Sequence, residues 1–533
     1  MEQPLDRALG QQYVLMHGHW NPFGGATIDG DYGKDCQMER LVIRDGQAPL
    51  PRGTGLYVHT AAKNAQAFYA VVTCVNGVQN TLEISAANAT AEPVAEDKAA
   101  PQPVLQKEFA PSPFWNYAEK RFHYVRWEAP PCVNVPSQYY NWAVAVPLTP
   151  GEKVPLELSL PRDERSYWRT QYRVEPDSVI VTPHDFPLKT WWYGYHEAQG
   201  TLKSFRQGVI QNFTERRILS FMDWVAQKWP VDRERIFATG VVRVSGSHYA
   251  GGAGAAGSGA LHLALRHPDV FNLALAGHGI PDYAGAIADA KRAGQAAAGL
   301  EWETLWGKVE WGLKTDTGKN VWDELNLTQI VSDLPAQTGL PLLTSTSGGL
   351  LQAHCNFYRA LLEKRQAIIA NFGVWGGGKL LPLGARCTWP GAIRADVRKN
   401  VCLPVFTNGP GTETIKAAPK EASGNLVVSD GTKRFFGDFN LSFRWRTDDA
   451  MDEAERCEMT LSSNKGSASD VTLRRLQKFK VQTGKSYRWE LRKLDGEKDI
   501  LQQGEITVGP DELLTVPAVK LTAAGARLVV VPK

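Results

Sequence analysis

Between residues 107 and 410 the chain alternates two hydrophobic grammars. Continuous apolar runs, "YNWAVAVPL", "VPLELSLP", "SVIVTP", "RIFATGVV", "NLALAGHG", "LPLLTSTS" and "AIIANFGVW", are spaced by helical patterns such as "ERRILSFMDWVAQKW" and "GALHLALRHP". Runs that are apolar at most positions suit strands buried on both faces, and their alternation with helices predicts a mostly parallel sheet covered by helices on both faces. In the second helix pattern Leu261, Leu263, Ala264 and Leu265 form a broad apolar face, and "HPDVF" closes it with a proline.

On either side the period changes to two. Residues 40 to 87 read as short strands, "RLVIRD", "GLYVHTA", "AFYAVVTCV" and "TLEIS", with an Asn76-Gly77 turn before the last. "GTGLYVHT…AFYAVVTCVNGVQN" resembles the later strands of a fibronectin type III module. The stretch "AANATAEPVAEDKAAPQPVLQ" then loses all periodicity. Beyond residue 411 the runs "FNLSFRWRT", "CEMTLSS", "SYRWELRKL", "GEITV", "LTVPAVKL" and "ARLVVVPK" predict a terminal β-sandwich. The expected fold class is multidomain α/β plus β. It comprises a β-domain over 1–87, a linker over 88–106, an α/β core over 107–410 and a sandwich over 411–533.

Composition narrows the partners. Fifty-nine basic and 56 acidic side chains leave a net charge of +3, too little field to attract nucleic acid or an anionic membrane. No run of about 18 apolar residues is present, so no spanning helix is expected. Seven cysteines are scattered without a C-x-x-C pair, an odd number that leaves at least one thiol unpaired in a monomer. No zinc spacing occurs, and His17 with His19 in "MHGHW" lacks a third ligand, so neither metal nor cofactor is expected. The opening "MEQPLDRALGQQYVLM" has no basic stretch leading into an apolar one.

"VDRERIFATG", a Gly/Ala-rich elbow, "GALHLALRHPDVFNLALAGHG" and the upstream "TWWYGYHEAQGTLKSF…TERRILSFMDWVAQKW" together resemble the α/β-hydrolase superfamily, in its branch of feruloyl esterases and polyhydroxybutyrate depolymerases. The resemblance implies a G-x-S-x-G elbow at the end of a strand, with an acid and then a histidine later in the chain. Counted back from "GALHLALRHP", the elbow falls on Gly252 to Ala256, and Gly254 stands where serine is expected. The acid position, in the loop after "LPLLTSTS", corresponds to Leu350, and the histidine position after "AIIANFGVW" to Gly378. No histidine follows His354 anywhere in the chain. "VPLELSLPRDE" also lacks the H-G-G of many esterase oxyanion loops.

These departures imply a degenerate triad and no catalytic residue at the family's positions. Losing one triad member costs about 10⁴ to 10⁶ in rate. A displaced nucleophile is the alternative: Ser245, Ser247 and His248 lie in an insertion at 241–252, Ser258 just past the elbow, and His278 or His354 could serve as base. Gly252, Gly254 and Gly257 also match G-x-G-x-x-G, but the next strand lacks the acid of a dinucleotide site until Asp282. The aromatic run Trp191, Trp192, Tyr193, Tyr195, His196 and Glu197 is either a binding surface for a sugar or aromatic group or a plug at the sheet edge. The expected protein is an exported, periplasmic or cell-surface binding or scaffolding protein facing a polysaccharide or another protein. A secreted carboxylic-ester hydrolase is the rival.

Overall fold

The computed structural model describes residues 41–51, 56–61, 63–98, 101–109, 119–135, 137–161, 167, 175, 177–185, 188–201, 203–240, 254–292, 294, 299–347, 351–372, 397–417 and 435–533. The chain divides into two compact units, Met1–Lys107 with His123–Asn141, and Glu108–Phe122 with Trp142–Lys533.

In the first unit, β1 (Ala65–Ala67) pairs antiparallel with β4 (Val94–Glu96), and β2 (Cys74–Val75) with β3 (Val78–Gln79) around the Asn76-Gly77 turn. Four of the expected strand runs thus carry two- or three-residue strands or none, and "TLEIS" begins as a 3-10 turn, Thr81–Glu83. The stretch expected as linker supplies β4. The physical reason is burial. Phe68 is 67% and Leu82 95% exposed, so the alternation has no second layer to meet, whereas Leu41, Val125, Trp127 and Tyr139 form this unit's core.

The second unit is built on a mixed sheet. Its strands are β5 (Tyr139–Pro147, in this unit from Trp142 on), β6 (Val154–Ser159), β7 (Val179–Pro183), β8 (Val231–Gly240), β9 (Leu273–Gly277), β10 (Leu342–Ser347) and β11 (Ile368–Phe372). The spatial order is β5-β7-β6-β8-β9-β10-β11. All neighbours are parallel except β5 with β7. Helix α1 (Phe213–Lys228) and helix α2 (Gly254–Arg266) pack on β8, and α2 also on β9. Phe221 of α1 stacks on Trp142 with ring centroids 3.9 Å apart and planes 3° from parallel. The expected apolar runs all became strands, in a mostly parallel sheet with helices packed on it and further β sheets beside it.

The sandwich follows, with its boundary interleaved rather than at residue 411. β12 (Leu403–Thr407) joins β17 (Ser467–Arg474) and β20 (Leu514–Leu521) in a three-stranded sheet. β15 (Phe443–Glu453), β16 (Arg456–Ser463), β21 (Ala526–Pro532), β18 (Ser486–Lys493) and β19 (Gly496–Thr507) form the five-stranded sheet, in that order. Meanwhile β13 (Lys416–Ala417) and β14 (Phe435–Phe439) return to extend the main sheet beside β11, with Ala370 opposite Phe439. One hydrophobic cluster contains Phe237, Leu275 and Ile369 of the main sheet together with Val405, Leu461 and Leu528 of the sandwich. The two therefore share a core.

Candidate functional site

In open α/β sheets ligands gather at the carboxyl ends of the strands. Here β8 ends at Gly240 and α2 starts at Gly254. Ser245, Ser247 and His248, as well as Leu350 and Gly378, where the resemblance led one to expect the acid and the base, lie outside the described residues.

Glycine lets α2 sit hard on the sheet. A Cβ on Gly240 would lie 2.0 Å from the Ala256 carbonyl oxygen, and one on Gly257 1.8 Å from that of Gly277. Such approaches exclude any side chain. Gly254 differs: its Cβ would meet the Trp191 ring at 3.5 Å and Ile280 at 3.7 Å, ordinary contacts. A serine would therefore fit where the sequence places glycine.

The described alternatives are differently engaged. Ser258 is fully buried; its hydroxyl donates to the Gly254 carbonyl one helical turn back and accepts the Ile280 N–H at 2.9 Å. It is thus spent on joining α2 to the segment after β9. His278 is the first residue past β9, in left-handed backbone at φ 53°, and its N–H donates to the Thr346 carbonyl at 2.8 Å. Burial lowers its pKa below the usual imidazole value. Its neighbours Gly277 and Gly279 both press on Gly257, which puts the His278 backbone beside the first turns of α2. His354 lies in the first turn of α6 (Gln352–Glu363), the helix after β10, where Nδ1 accepts the Leu351 N–H at 3.4 Å.

Between α2 and α6 lie α3 (Tyr283–Arg292), α4 (Leu300–Trp306) and α5 (Val321–Glu324). They complete an aromatic wall around the expected binding run. Trp191, Trp192, Tyr193, Tyr195 and His196 are all at most 5% exposed, and Glu197 alone of the six is half-buried. Trp191 meets Tyr283 and Trp302 edge-on at 5.7 and 5.2 Å, with the Lys189 ammonium 4.6 Å from its ring centroid. Trp192 lies against Gly259, whose Cβ would fall 2.3 Å from the indole. Tyr195 packs on Phe213 at 4.9 Å. His196 stacks on Phe205 at 4.3 Å, takes the Ala198 N–H on Nδ1 at 3.0 Å, and has its pKa lowered by burial. The run is a buried wall in this arrangement. Trp191 and Trp192 nevertheless hold left-handed backbone, φ 56° and 66°, a costly conformation for bulky residues that clusters at functional sites.

Sequence reasoning missed two features here. Trp302 and Trp306, four apart in "EWETLW", pack Tyr283 from α4 at 5.1 Å each; that i, i+4 spacing was the available signal. Arg266, at the end of α2, bridges Glu215 of α1 at 3.2 Å and Glu324 of α5 at 3.0 Å, while His267 reaches Glu215 at 2.9 Å. Burial alone would raise Glu215, but Arg266 and His267 outweigh it and hold the carboxyl down to about 2. Single charges in three distant segments gave no such sign. Among the described residues no group of three His, Cys, Asp or Glu is placed to hold a metal ion, and no helix is long and apolar enough to cross a membrane.

The chain matches no family model and no curated protein. Solved structures similar to it include an acylaminoacyl peptidase from Pyrococcus horikoshii, at 12% identity and TM-score 0.30 over 54% of this chain and 47% of that one. Brefeldin A esterase, a bacterial homologue of human hormone sensitive lipase, is similar at 13% identity and TM-score 0.27, over 50% and 72%. A glucuronoyl esterase from Solibacter usitatus is similar at 8% identity and TM-score 0.28, over 49% and 73%. The chain thus spans about half the length of the peptidase.

Proposed function

We propose that the second unit is a catalytically silent α/β-hydrolase-like domain that binds or scaffolds, outside the cytoplasm, a polysaccharide or a protein partner. One observation carries this reading. The order nucleophile, acid, histidine puts the general base after β11, and no histidine follows residue 372 in the chain. Two others support it: glycine at 254, and the use of the Ser258 hydroxyl in holding α2. Without a base a serine hydroxyl stays protonated and weakly nucleophilic. Export rests on the C-terminal β-sandwich that follows the core, an analogy with secreted carbohydrate-active proteins.

A second reading is favoured by His278, an imidazole kept neutral by burial beside the first turns of α2. In it, Ser245 or Ser247 of the insertion attacks an ester and His278 or His354 takes the proton. Intact-mass labelling with a fluorophosphonate probe separates the two. The silent reading expects no adduct on the native chain or on Gly254→Ser. An adduct mapped to Ser245, Ser247 or Ser258 on the native chain overturns it and installs the esterase.

A further inference from the structure

Eight of the fourteen large hydrophobic side chains left exposed among the described residues lie between Tyr57 and Val94, in the first unit. Single exposed hydrophobics are ordinary on a protein surface, whereas a contiguous group marks a contact surface. Backbone pairing knits this group together. Val94 of β4 sits opposite Ala67 of β1, the residue before Phe68. The Val71 N–H donates to the Asn88 carbonyl at 2.8 Å, and the Asn80 N–H to the Thr73 carbonyl at 2.9 Å, which leads the chain into the β2–β3 hairpin. There Val75 and Val78 are cross-strand partners, so both project from one face. Leu82, in the 3-10 turn after the hairpin, is the most exposed of the group at 95%.

Two features mark this surface as incomplete in a single copy. The hairpin is a sheet of two strands, and neither outer edge pairs with another strand among the described residues. A lone hairpin is marginal in water, and its open edges are templates for pairing. Charge is also sparse. From Asn64 to Glu96 the charged residues are Glu83, Glu92 and Glu96, with no Lys or Arg, in a chain that is 22% charged. Depletion of charge is the mark of an interface core, and the lack of cations disfavours nucleic acid or an anionic bilayer as the occupant. Two of the three acids are already bonded within the unit. Glu83 accepts the Thr73 hydroxyl at 2.8 Å, and Glu96 accepts the Tyr69 hydroxyl and lies 3.3 Å from His59 Nε2. Setting this surface against itself therefore opposes few unpaired like charges.

We propose that the apolar surface around the β2–β3 hairpin is the interface of a homodimer, seated on the same surface of a second copy across a two-fold axis. The available area fits that occupant. Phe68, Val71, Val75, Val78, Leu82 and Val94 are 44% to 95% exposed. At on the order of 100 Å² each they offer roughly 600 Å² per copy, or about 1,200 Å² for the pair, which reaches the lower end of specific interfaces. The second copy supplies the layer that the valines lack, and an isologous contact closes at two chains. An interface of this size exchanges with the monomer in the micromolar range. The inference is independent of whether the second unit catalyses.

The test uses the full-length chain under dithiothreitol, so that no disulfide between copies through the exposed Cys74 contributes. Sedimentation velocity from about 1 to about 200 μM should show the mean mass rise from that of one chain towards two. Amide hydrogen exchange compared at the two ends of the series should slow over residues 70–84 and stay unchanged in α2. Val78→Lys and Leu82→Lys, made separately, should each raise the dimer dissociation constant about tenfold or more. Both should leave Tm at the dilute end within about 1 °C, because these side chains meet water in the single copy. Leu148→Lys, at an exposed leucine of the second unit, should leave the mass series as in the native chain. A chain that stays monomeric throughout overturns the proposal, and exchange already slow over 70–84 at the dilute end would then assign the surface to cover by the chain's own residues. A dimer that persists unweakened in both hairpin variants overturns it too, since the interface then lies elsewhere. Growth past two chains overturns the closed two-fold contact.

Discussion

The two edges of the parallel sheet are held by different physics. At the carboxyl edge the contacts are steric: Gly240 and Gly257 admit no Cβ, and Trp191, Trp192 and His278 hold left-handed backbone. At the amino edge they are hydrogen bonds. Arg475 donates to the carbonyls of Leu340 at 2.8 Å, Arg398 at 3.0 Å and Asn272 at 3.3 Å, while Arg474 donates to Ala336 at 2.6 Å and to Thr338. Gln366 spans Leu340 N–H and Thr338 O, and Asp232 takes Arg398 at 2.8 Å and Arg235 at 3.0 Å. Both arginines come from the end of β17, so the sandwich caps the strand starts. Close backbone packing therefore seats α2 at one edge, while side-chain donors from the sandwich satisfy the strand starts at the other.

The largest expected effect comes from filling the steric edge. Gly257→Ala forces its methyl into the Gly277 carbonyl, a backbone atom that cannot rotate away, so α2 must lift from β8 and β9. A loss of about 3 to 5 kcal/mol, or no soluble protein, is expected from urea unfolding followed by tryptophan fluorescence. Unchanged stability would mean that α2 does not seat so closely, and would remove the ground for placing Gly254 at the serine position.

The amino edge should yield next. Arg474→Ala leaves the Ala336 and Thr338 carbonyls short of a donor at the seam between sandwich and sheet, and a cost of about 2 to 4 kcal/mol follows. Because Phe237 and Leu275 share a cluster with Leu461 and Leu528, sheet and sandwich should unfold together in the native chain. Two separate transitions in the variant, and one in the native chain, would show that Arg474 couples them. Two transitions in both would show the sandwich to be an appended module.

Those two edges were unequally legible in the sequence. Runs such as "NLALAGHG" and "LPLLTSTS" declare buried parallel strands because nearly every position is apolar or small, and β9 and β10 followed. The sandwich strand β17, "SASDVTLR", was missed, since Val471 and Leu473 alone carry the inward pattern and Ser469 buries a polar side chain instead. The exchange of β12 and β14 between sheets was also invisible: an apolar run records burial but not its partner. At the candidate site the sequence offered residue identities alone, and Gly254 opens α2. The Arg266 network and the paired arginines needed the fold, because their partners lie far away in sequence.

A buried imidazole offers a smaller, pH-dependent handle on the carboxyl edge. His262 of α2 donates from Nε2 to the Ile280 carbonyl at 2.9 Å and stacks on Tyr283 at 5.0 Å. Burial, partly offset by that carbonyl, lowers its pKa from 6.5 to about 4. The unfolded chain therefore binds the proton more readily than the folded one. Stability is full above the unfolded value, falls as pH drops from about 6.5 towards 4, and gains no further loss from this group below that. Between pH 7 and 5 the cost is about 2 kcal/mol. His184, lowered to about 3 by burial and then by Arg217, adds a loss in the same window. A His262→Asn chain should lose less stability than the native chain over that interval, by about 2 kcal/mol in urea midpoints converted with a common slope. Equal losses would place the titration elsewhere.

The smallest effect should be Gly254→Ser, and its smallness is informative. The added Cβ meets the Trp191 ring and Ile280 at contact distance, and serine is the better helix former, so stability should change by about 0.5 kcal/mol or less. That separates Gly254 from Gly257 three residues on, where the methyl has no room. If the base is absent, the new hydroxyl should neither label with a fluorophosphonate nor hydrolyse p-nitrophenyl acetate above the native chain. Labelling of the new serine would instead mean that a base stands ready, and loss of that labelling in Gly254→Ser with His278→Ala would identify it as the imidazole after β9. The carboxyl edge would then be one substitution from chemistry, and the contrast with the amino edge would be between a site disarmed by a single residue and a scaffold, rather than between an emptied frame and a scaffold.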